Sequence, residues 1–169
     1  MAQWVGHDRI NKLITPTVDT SIYTANDCIG TLNEVTHTGA VVDGPVVESG
    51  GSGQITRAIL YDKSSQIHTH TIQAYIFRTN PTSSTFTDQA PFSIDDADLT
   101  KCEAVITFDI ANGGEFGSSS GNQMIQRNNL GIEYEASLES LYVVFKADGS
   151  TPTFTSSSDL SMRLLFKRD

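Results

Sequence analysis

Leu141-Tyr142-Val143-Val144-Phe145-Lys146 and Leu160-Ser161-Met162-Arg163-Leu164-Leu165-Phe166, two apolar runs separated by a stretch rich in Gly, Ser, Thr and Pro, decide the fold class. In the second run Leu160, Met162, Leu164 and Phe166 share one face, and Ser161, Arg163 and Lys167 share the other. That period of two belongs to a strand with one wet face. The first run differs, because Tyr142, Val143, Val144 and Phe145 are apolar on both faces, as in a central strand. The segment between the runs carries turn-formers and no recognisable catalytic motif.

Working outward, similar runs at residues 28–35, 40–47 (broken at Gly44-Pro45), 54–61, 69–78, 103–110 and 123–130 supply enough strands for two packed sheets. Ile72, Ala74 and Ile76 alternate with Thr71 and Gln73, and Ile106, Phe108 and Ile110 with Thr107 and Asp109, so each of these strands should have one solvated face. Residues 13–19 contain Pro16, which cannot donate to a ladder and makes this segment an edge strand or an extended crossing. The fold expected is all-β, an antiparallel sandwich of two packed sheets. Residues 13–169 form one domain, and residues 1–12 read as a short N-terminal arm with Trp4, Val5 and Ile10 as apolar anchors, or as a frayed or helical terminus.

Residues 48–53, 112–121 and 148–150 read as loops. A helical turn is expected at 93–99, with Ser93 as N-cap, Asp95 and Asp96 near the positive end of the dipole, and Ile94 and Leu99 pointing inward.

Composition narrows the function. A chain of 169 residues should bury roughly 70% of the surface its unfolded form exposes, so it needs no staples. Eleven basic against 20 acidic residues give a net charge of −9, the wrong sign for a protein whose main partner is a nucleic acid or an anionic membrane. Cys28 and Cys102 lie far apart and outside any C-x-x-C spacing, so neither a zinc site nor a dense disulfide framework is indicated, and two buried thiols are expected over the alternative of one disulfide. The start lacks a basic stretch followed by an apolar run, and no apolar run is long enough to span a membrane. A soluble protein made in a cytoplasm is expected.

Candidate chemistry is sparse. His68 and His70 fall on one strand face and could bind a metal if a threefold axis gathered three copies, but two ligands per chain are too few alone. Asp95, Asp96 and Asp98 lack the spacing of a calcium loop and suit a helix start. Glu103, Asp109, Glu115, Glu133 and Glu135 could supply a glycosidase pair only if their separation were right. There is no G-x-S-x-G elbow, and residues 48–53 match neither a phosphate-binding loop nor a dinucleotide fingerprint. Phe86, Phe92, Phe116 and Phe154 lie in or beside loops, where aromatics either plug the core or meet partners. No cofactor is indicated.

Several segments resemble a family of small virion proteins of tailed bacteriophages. They are Thr15-Pro16-Thr17-Val18-Asp19-Thr20-Ser21-x-Tyr23-x-Ala25-x-Asp27-x-Ile29-Gly30, Pro81-Thr82-Ser83-Ser84-Thr85-Phe86-Thr87-Asp88, Asp95-Asp96-Ala97-Asp98-Leu99, and Thr151-Pro152-Thr153-Phe154-Thr155-Ser156-Ser157-Ser158-Asp159-Leu160. The resemblance implies a non-enzymatic capsid decoration protein on the virion surface. It would be a β-sandwich, with the jelly roll as one arrangement, that binds the major capsid protein, as a homotrimer, and stabilises the head by adding buried interface. Trp4, Val5 and Ile10, in the arm before the matching segments, are the expected capsid contacts. The rival expectation is a tail-associated receptor- or glycan-binding protein that touches the host through the loops around Phe116 and Phe154.

Overall fold

The computed structural model describes residues 9–36, 51–64, 70–110, 114–115, 121–136 and 140–168. Its strands are β1 (Arg9–Ile14), β2 (Cys28–Thr36), β3 (Gly51–Asp62), β4 (Thr71–Phe77), β5 (Cys102–Asp109), β6 (Gly114–Glu115), β7 (Gln123–Ala136), β8 (Ser140–Asp148) and β9 (Leu160–Arg168), with one short helix, α1 (Asp96–Leu99).

Pairing is nested and antiparallel throughout. β1 pairs with β9, β2 with β8, β3 with β7, and β4 with β5, so the chain behaves as one long folded hairpin whose tip is the connection from β4 to β5. Curling that hairpin lets β9 also pair with β3 and β8 with β4. The results are a five-stranded sheet, β1-β9-β3-β7-β6, and a four-stranded sheet, β2-β8-β4-β5. Leaving aside the two-residue β6, this is the strand order of a jelly roll, two Greek keys wound into a sandwich. The two runs that open the sequence reading become β8 and β9, each the strand that joins an outer strand to the rest of its sheet.

The inward faces meet in one core. Ile72, Ala74, Ile76, Ile106, Phe108, Leu141, Val143 and Phe145 from the four-stranded sheet pack with Ile55, Leu60, Leu160, Met162, Leu164 and Phe166 from the other. Each fully buried large side chain in this set stabilises the fold by about 1.5–3 kcal/mol. A second, smaller cluster lies on the outer side of the four-stranded sheet. There Cys28, Phe77, Tyr142 and Val144 are covered by Phe86, Phe92 and Ile94 from the loop at residues 78–101. β8 is therefore apolar on both faces because both faces are buried, by the opposite sheet and by this loop.

Several boundaries differ from the sequence expectation for identifiable reasons. Pro16 is buried but lies beyond β1, which ends at Ile14, so the strand stops before the residue that cannot donate. Arg9, Ile10, Asn11 and Lys12, expected in an arm, are strand residues opposite Lys167, Phe166, Leu165 and Leu164. Residues 1–8 and the strand expected at 40–47 lie outside the described residues. The N-cap of α1 is Asp95 rather than Ser93, its carboxylate accepting from the Ala97 amide, and Leu99 is exposed instead of pointing inward.

β7 runs on past residue 130, where the sequence reading ended it, through an irregularity. Asn129 and Gly131 have φ of 53° and 59°, and the register against β3 shifts between Ile55 and Arg57. A shift also appears where β3 meets β9: there Thr56 is the extra residue, whereas against β7 the surplus lies on β7, where residues 129–131 stand against Thr56 alone.

Gly30, in β2, has φ of 70°, and a Cβ there would stand 2.9 Å from the Pro16 Cβ and 3.1 Å from the Thr17 carbonyl oxygen. Both atoms belong to the crossing segment that leaves β1. The substitution Gly30→Ala should therefore cost about 1–3 kcal/mol in urea unfolding, with the slope of the transition unchanged. A loss near zero would show that the crossing segment moves aside freely.

Candidate functional site

The segments that carry the phage-family resemblance are distant in sequence, and the fold joins them into one connected group of loops. Tyr23 is its hub. It is fully buried, stacks edge-on against Phe154 with ring centroids 5.7 Å apart, and its hydroxyl donates to Asp88 Oδ1 at 2.7 Å. The same hydroxyl accepts from the Asp19 amide at 2.7 Å, and Asp88 Oδ1 also accepts from the Gly30 amide at 2.6 Å. Burial, and then the bond to Asp88, push the Tyr23 phenol far above its ordinary pKa, so it stays a neutral donor.

The other carboxylates in these segments behave alike. Asp27 accepts from the Thr24 amide at 2.7 Å, and Asp159 accepts from the amides of Thr155 and Ser156 and from the Thr155 hydroxyl, each at 2.8 Å. Asp98 is fully buried, and its Oδ2 accepts from the Ser83 amide at 2.9 Å and from the Ser84 amide and hydroxyl at 2.7 Å. Its Oδ1 meets Lys101 Nζ at 2.6 Å. Backbone bonds then dock the long loop on β2: the Cys28 amide donates to Ala90 O, the Gln89 amide to Cys28 O, and the Phe92 amide to Asn26 O. These acids hold loops in shape, and their oxygens point at peptide groups.

The residues considered for chemistry are scattered. His68 lies outside the described residues, and the buried His70 has Nε2 3.9 Å from Asp62 Oδ2. Among the described residues no three His, Cys, Asp or Glu side chains come together as a metal site. Glu103 faces Arg78 across 3.4 Å on β5, Asp109 ends the same strand, and Glu133 is exposed on β7. The side chains of Glu115 and Glu135 lie outside the described residues. Phe86 and Phe154 are buried and Phe92 is half-buried in the cover loop, so all three are core plugs, while Phe116 lies outside the described residues. Cys28 and Cys102 are both free thiols. Burial pushes Cys28 up to about 12, and its Sγ donates to the Gly30 carbonyl.

One edge of the sandwich is a candidate contact surface. β1 and β2 are the outermost strands of their sheets, and the corner between them is a recess of about 310 Å³ lined by Lys12, Leu13, Ile14, Asn33, Glu34 and Val35, with Thr15 at its margin. Leu13 is 58% exposed there. Of the residues expected to touch a capsid, Trp4 and Val5 lie outside the described residues, and Ile10 sits in β1 opposite Phe166. The opposite edge is guarded, because Arg127 Nε on β7 donates to the Thr107 carbonyl on β5 at 2.8 Å. The sequence reading passed over Leu13 because it treated the residue as a strand's first member. Its alternation with Ile14 was the available signal.

No protein-family model matches the chain, and no curated protein matches it. Among solved structures, the K1 cleaved adhesin domain of Lys-gingipain from Porphyromonas gingivalis W83 aligns over 96% of this chain and 95% of that one. It shares 13% identity at a TM-score of 0.32.

Two outcomes follow from this geometry. For Asp98, burial acts to raise the carboxyl pKa, but the bonds from Lys101 and Ser84 outweigh it and leave the pKa below its ordinary value of 3.8. A depressed folded-state pKa means that the carboxylate's contribution is complete above about pH 4 and is lost as pH falls through the lower folded value. The protection factors of the Ser83 and Ser84 amides, exchange rates corrected for the intrinsic pH dependence, should therefore fall on acidification below that point. In Asp98→Asn exchange should be fast already at pH 7, and equal protection in the variant would dismiss the role. Separately, alkylation at pH 8 should spare Cys28 in the folded protein and reach it only on unfolding.

Proposed function

We propose that this protein is a non-enzymatic virion structural protein of a tailed bacteriophage, a capsid decoration protein that acts through protein–protein contacts. The observation that supports this reading is the convergence of the resembling segments. Residues 15–30, 81–88, 95–99 and 151–160 meet through Tyr23, Phe154, Asp88 and Asp98 as one structural unit. They thus serve the architecture of a jelly roll, as family-wide structural motifs would, and Asp19, Asp27, Asp88, Asp95, Asp98 and Asp159 are engaged with backbone amides.

In this reading the major capsid protein is met by the edge formed by β1 and β2, together with the residues that precede β1. Exposed Leu13 supplies an apolar centre, and Trp4 and Val5 lie within a few residues of the strand. A homotrimer would present three such edges to neighbouring capsomers. Affinity for the shell would then stabilise the head by mass action.

The test is localisation followed by trimming. Gold-labelled antibody should decorate heads of intact particles from the source, and label on tails instead would favour host-surface binding and overturn the head assignment. Trimming has to respect β1: deleting residues 1–8 leaves its ladder with β9 whole, whereas deletion through Lys12 would remove strand residues and confuse binding with folding. The shorter deletion, and separately Leu13→Asp, should each weaken binding to purified heads by about tenfold or more at unchanged melting temperature. Unchanged binding in both would rule out this edge.

A further inference from the structure

The five-stranded sheet carries a polar recess that the decoration reading does not use. It occupies about 510 Å³ at the irregularity where β3 meets β7 and β9, and is lined by Thr56, Arg57, Asn128, Asn129, Leu165 and Lys167, with Phe166 at its floor. That volume lies within the range of small-ligand sites.

Its origin is in the backbone. Thr56 is an extra residue against β9, while on the other side β7 carries the surplus, residues 129–131 against Thr56 alone, with Asn129 and Gly131 in left-handed φ at the same level. Two adjacent ladders are thus interrupted at one height, and a sheet that would otherwise present a continuous row of side chains opens a hollow. Bulges of this kind re-aim side chains near binding sites.

The lining has a definite chemistry. Arg57 stands opposite Asn128 on one side and Leu165 on the other, and Lys167 stands opposite Gln54 one row away. Both cations are exposed, and neither has an ion pair among the described residues, in a chain of net charge −9. The register also places Arg9 opposite Lys167. The nearest acid by register is Glu133, across Gln54 from Lys167, and it does not line the recess. The neutral groups are set for hydroxyls. Gln126 Nε2 donates to Asn128 Oδ1 at 2.6 Å, which leaves Asn128 Nδ2 as a donor, and the Thr56 hydroxyl donates to the Leu165 carbonyl at 3.2 Å, which leaves its oxygen as an acceptor.

We infer that this recess binds a carboxylated saccharide of the uronic-acid type. Arg57 and Lys167 take the carboxylate, and Asn128, Asn129 and Thr56 take ring hydroxyls. A planar guanidinium matches a carboxylate in a fork, and charge-assisted bonds of this sort are about twice as strong as neutral ones. An acidic peptide would also satisfy the two cations and could bond the amides through its backbone, but it lacks the array of ring hydroxyls that would engage Asn128, Asn129 and Thr56 together, so it is the competitor the test must include. The site is independent of where on a particle the protein sits.

The experiment uses the full chain, isotope-labelled, titrated with digalacturonate and followed by amide chemical shifts. Shifts should be largest at Arg57, Asn128, Asn129 and Lys167, and added salt should weaken binding. Arg57→Gln and Lys167→Gln, made separately, should each reduce affinity about tenfold at unchanged melting temperature, because neither side chain supports the fold. Arg163→Gln, which removes a cation stacked on Tyr61 outside the recess, should leave affinity as it was. The inference is overturned if digalacturonate produces no shifts, if a neutral disaccharide binds equally well, if a glutamate tripeptide binds as tightly, or if binding survives both substitutions.

Discussion

Water has to be kept from the outward side chains of Tyr142 and Val144, and much of the loop structure follows from that requirement. β8 is central in its sheet and apolar on both faces, so the opposite sheet can cover only half of it. The other half is covered by residues 78–101, the tip of the folded hairpin, which bring Phe86, Phe92 and Ile94 onto the outer surface. A loop this long carries many peptide groups that cannot all find a ladder. Asp98 and Asp88 take up amides within it and beside it, and backbone bonds to Asn26 and Cys28 fasten it to β2.

This use of carboxylates changes the meaning of the acidic composition. Asp19, Asp27, Asp88, Asp98 and Asp159 are framework groups, each bonded to a nearby amide or hydroxyl. The charge is also unevenly placed. Arg57, Arg163 and Lys167 lie on strands of the five-stranded sheet, while the four-stranded sheet and its cover loop bear Glu34, Asp95, Asp96 and Glu103. A single net figure therefore describes neither face.

What the sequence made legible was periodic. Leu160, Met162, Leu164 and Phe166 declared their common face, and the double-sided run at Tyr142–Phe145 declared a central strand, because each signal lies within a few consecutive residues. The hub around Tyr23 was not legible in the same way. Its hydroxyl meets Asp88 across 65 residues, and neither residue type announces such a partner. Asp98 was read as part of a helix start, since the local pattern favours that and the Ser83 and Ser84 amides are far along the chain. The strand reading that stopped at Leu130 had detected the real break in β7, but mistook an interruption for an end. Asn128-Asn129-Leu130-Gly131 is as suitable for a bulge as for a turn, and only the neighbouring strands decide between them.

Nested pairing has a temporal side. Because β1 joins β9 and β2 joins β8, the strands made first wait longest for their partners, and the innermost of the nested pairs, β4 with β5, lies at the middle of the chain, followed by the short β6–β7 pair. During synthesis the centre can close while Ile14 and its neighbours still face solvent, and the five-stranded sheet is incomplete until Leu160–Arg168 have left the ribosome. Such a domain closes only once its last strand has been made, from the middle outward, and depends in the interval on whatever restrains premature association of its early strands.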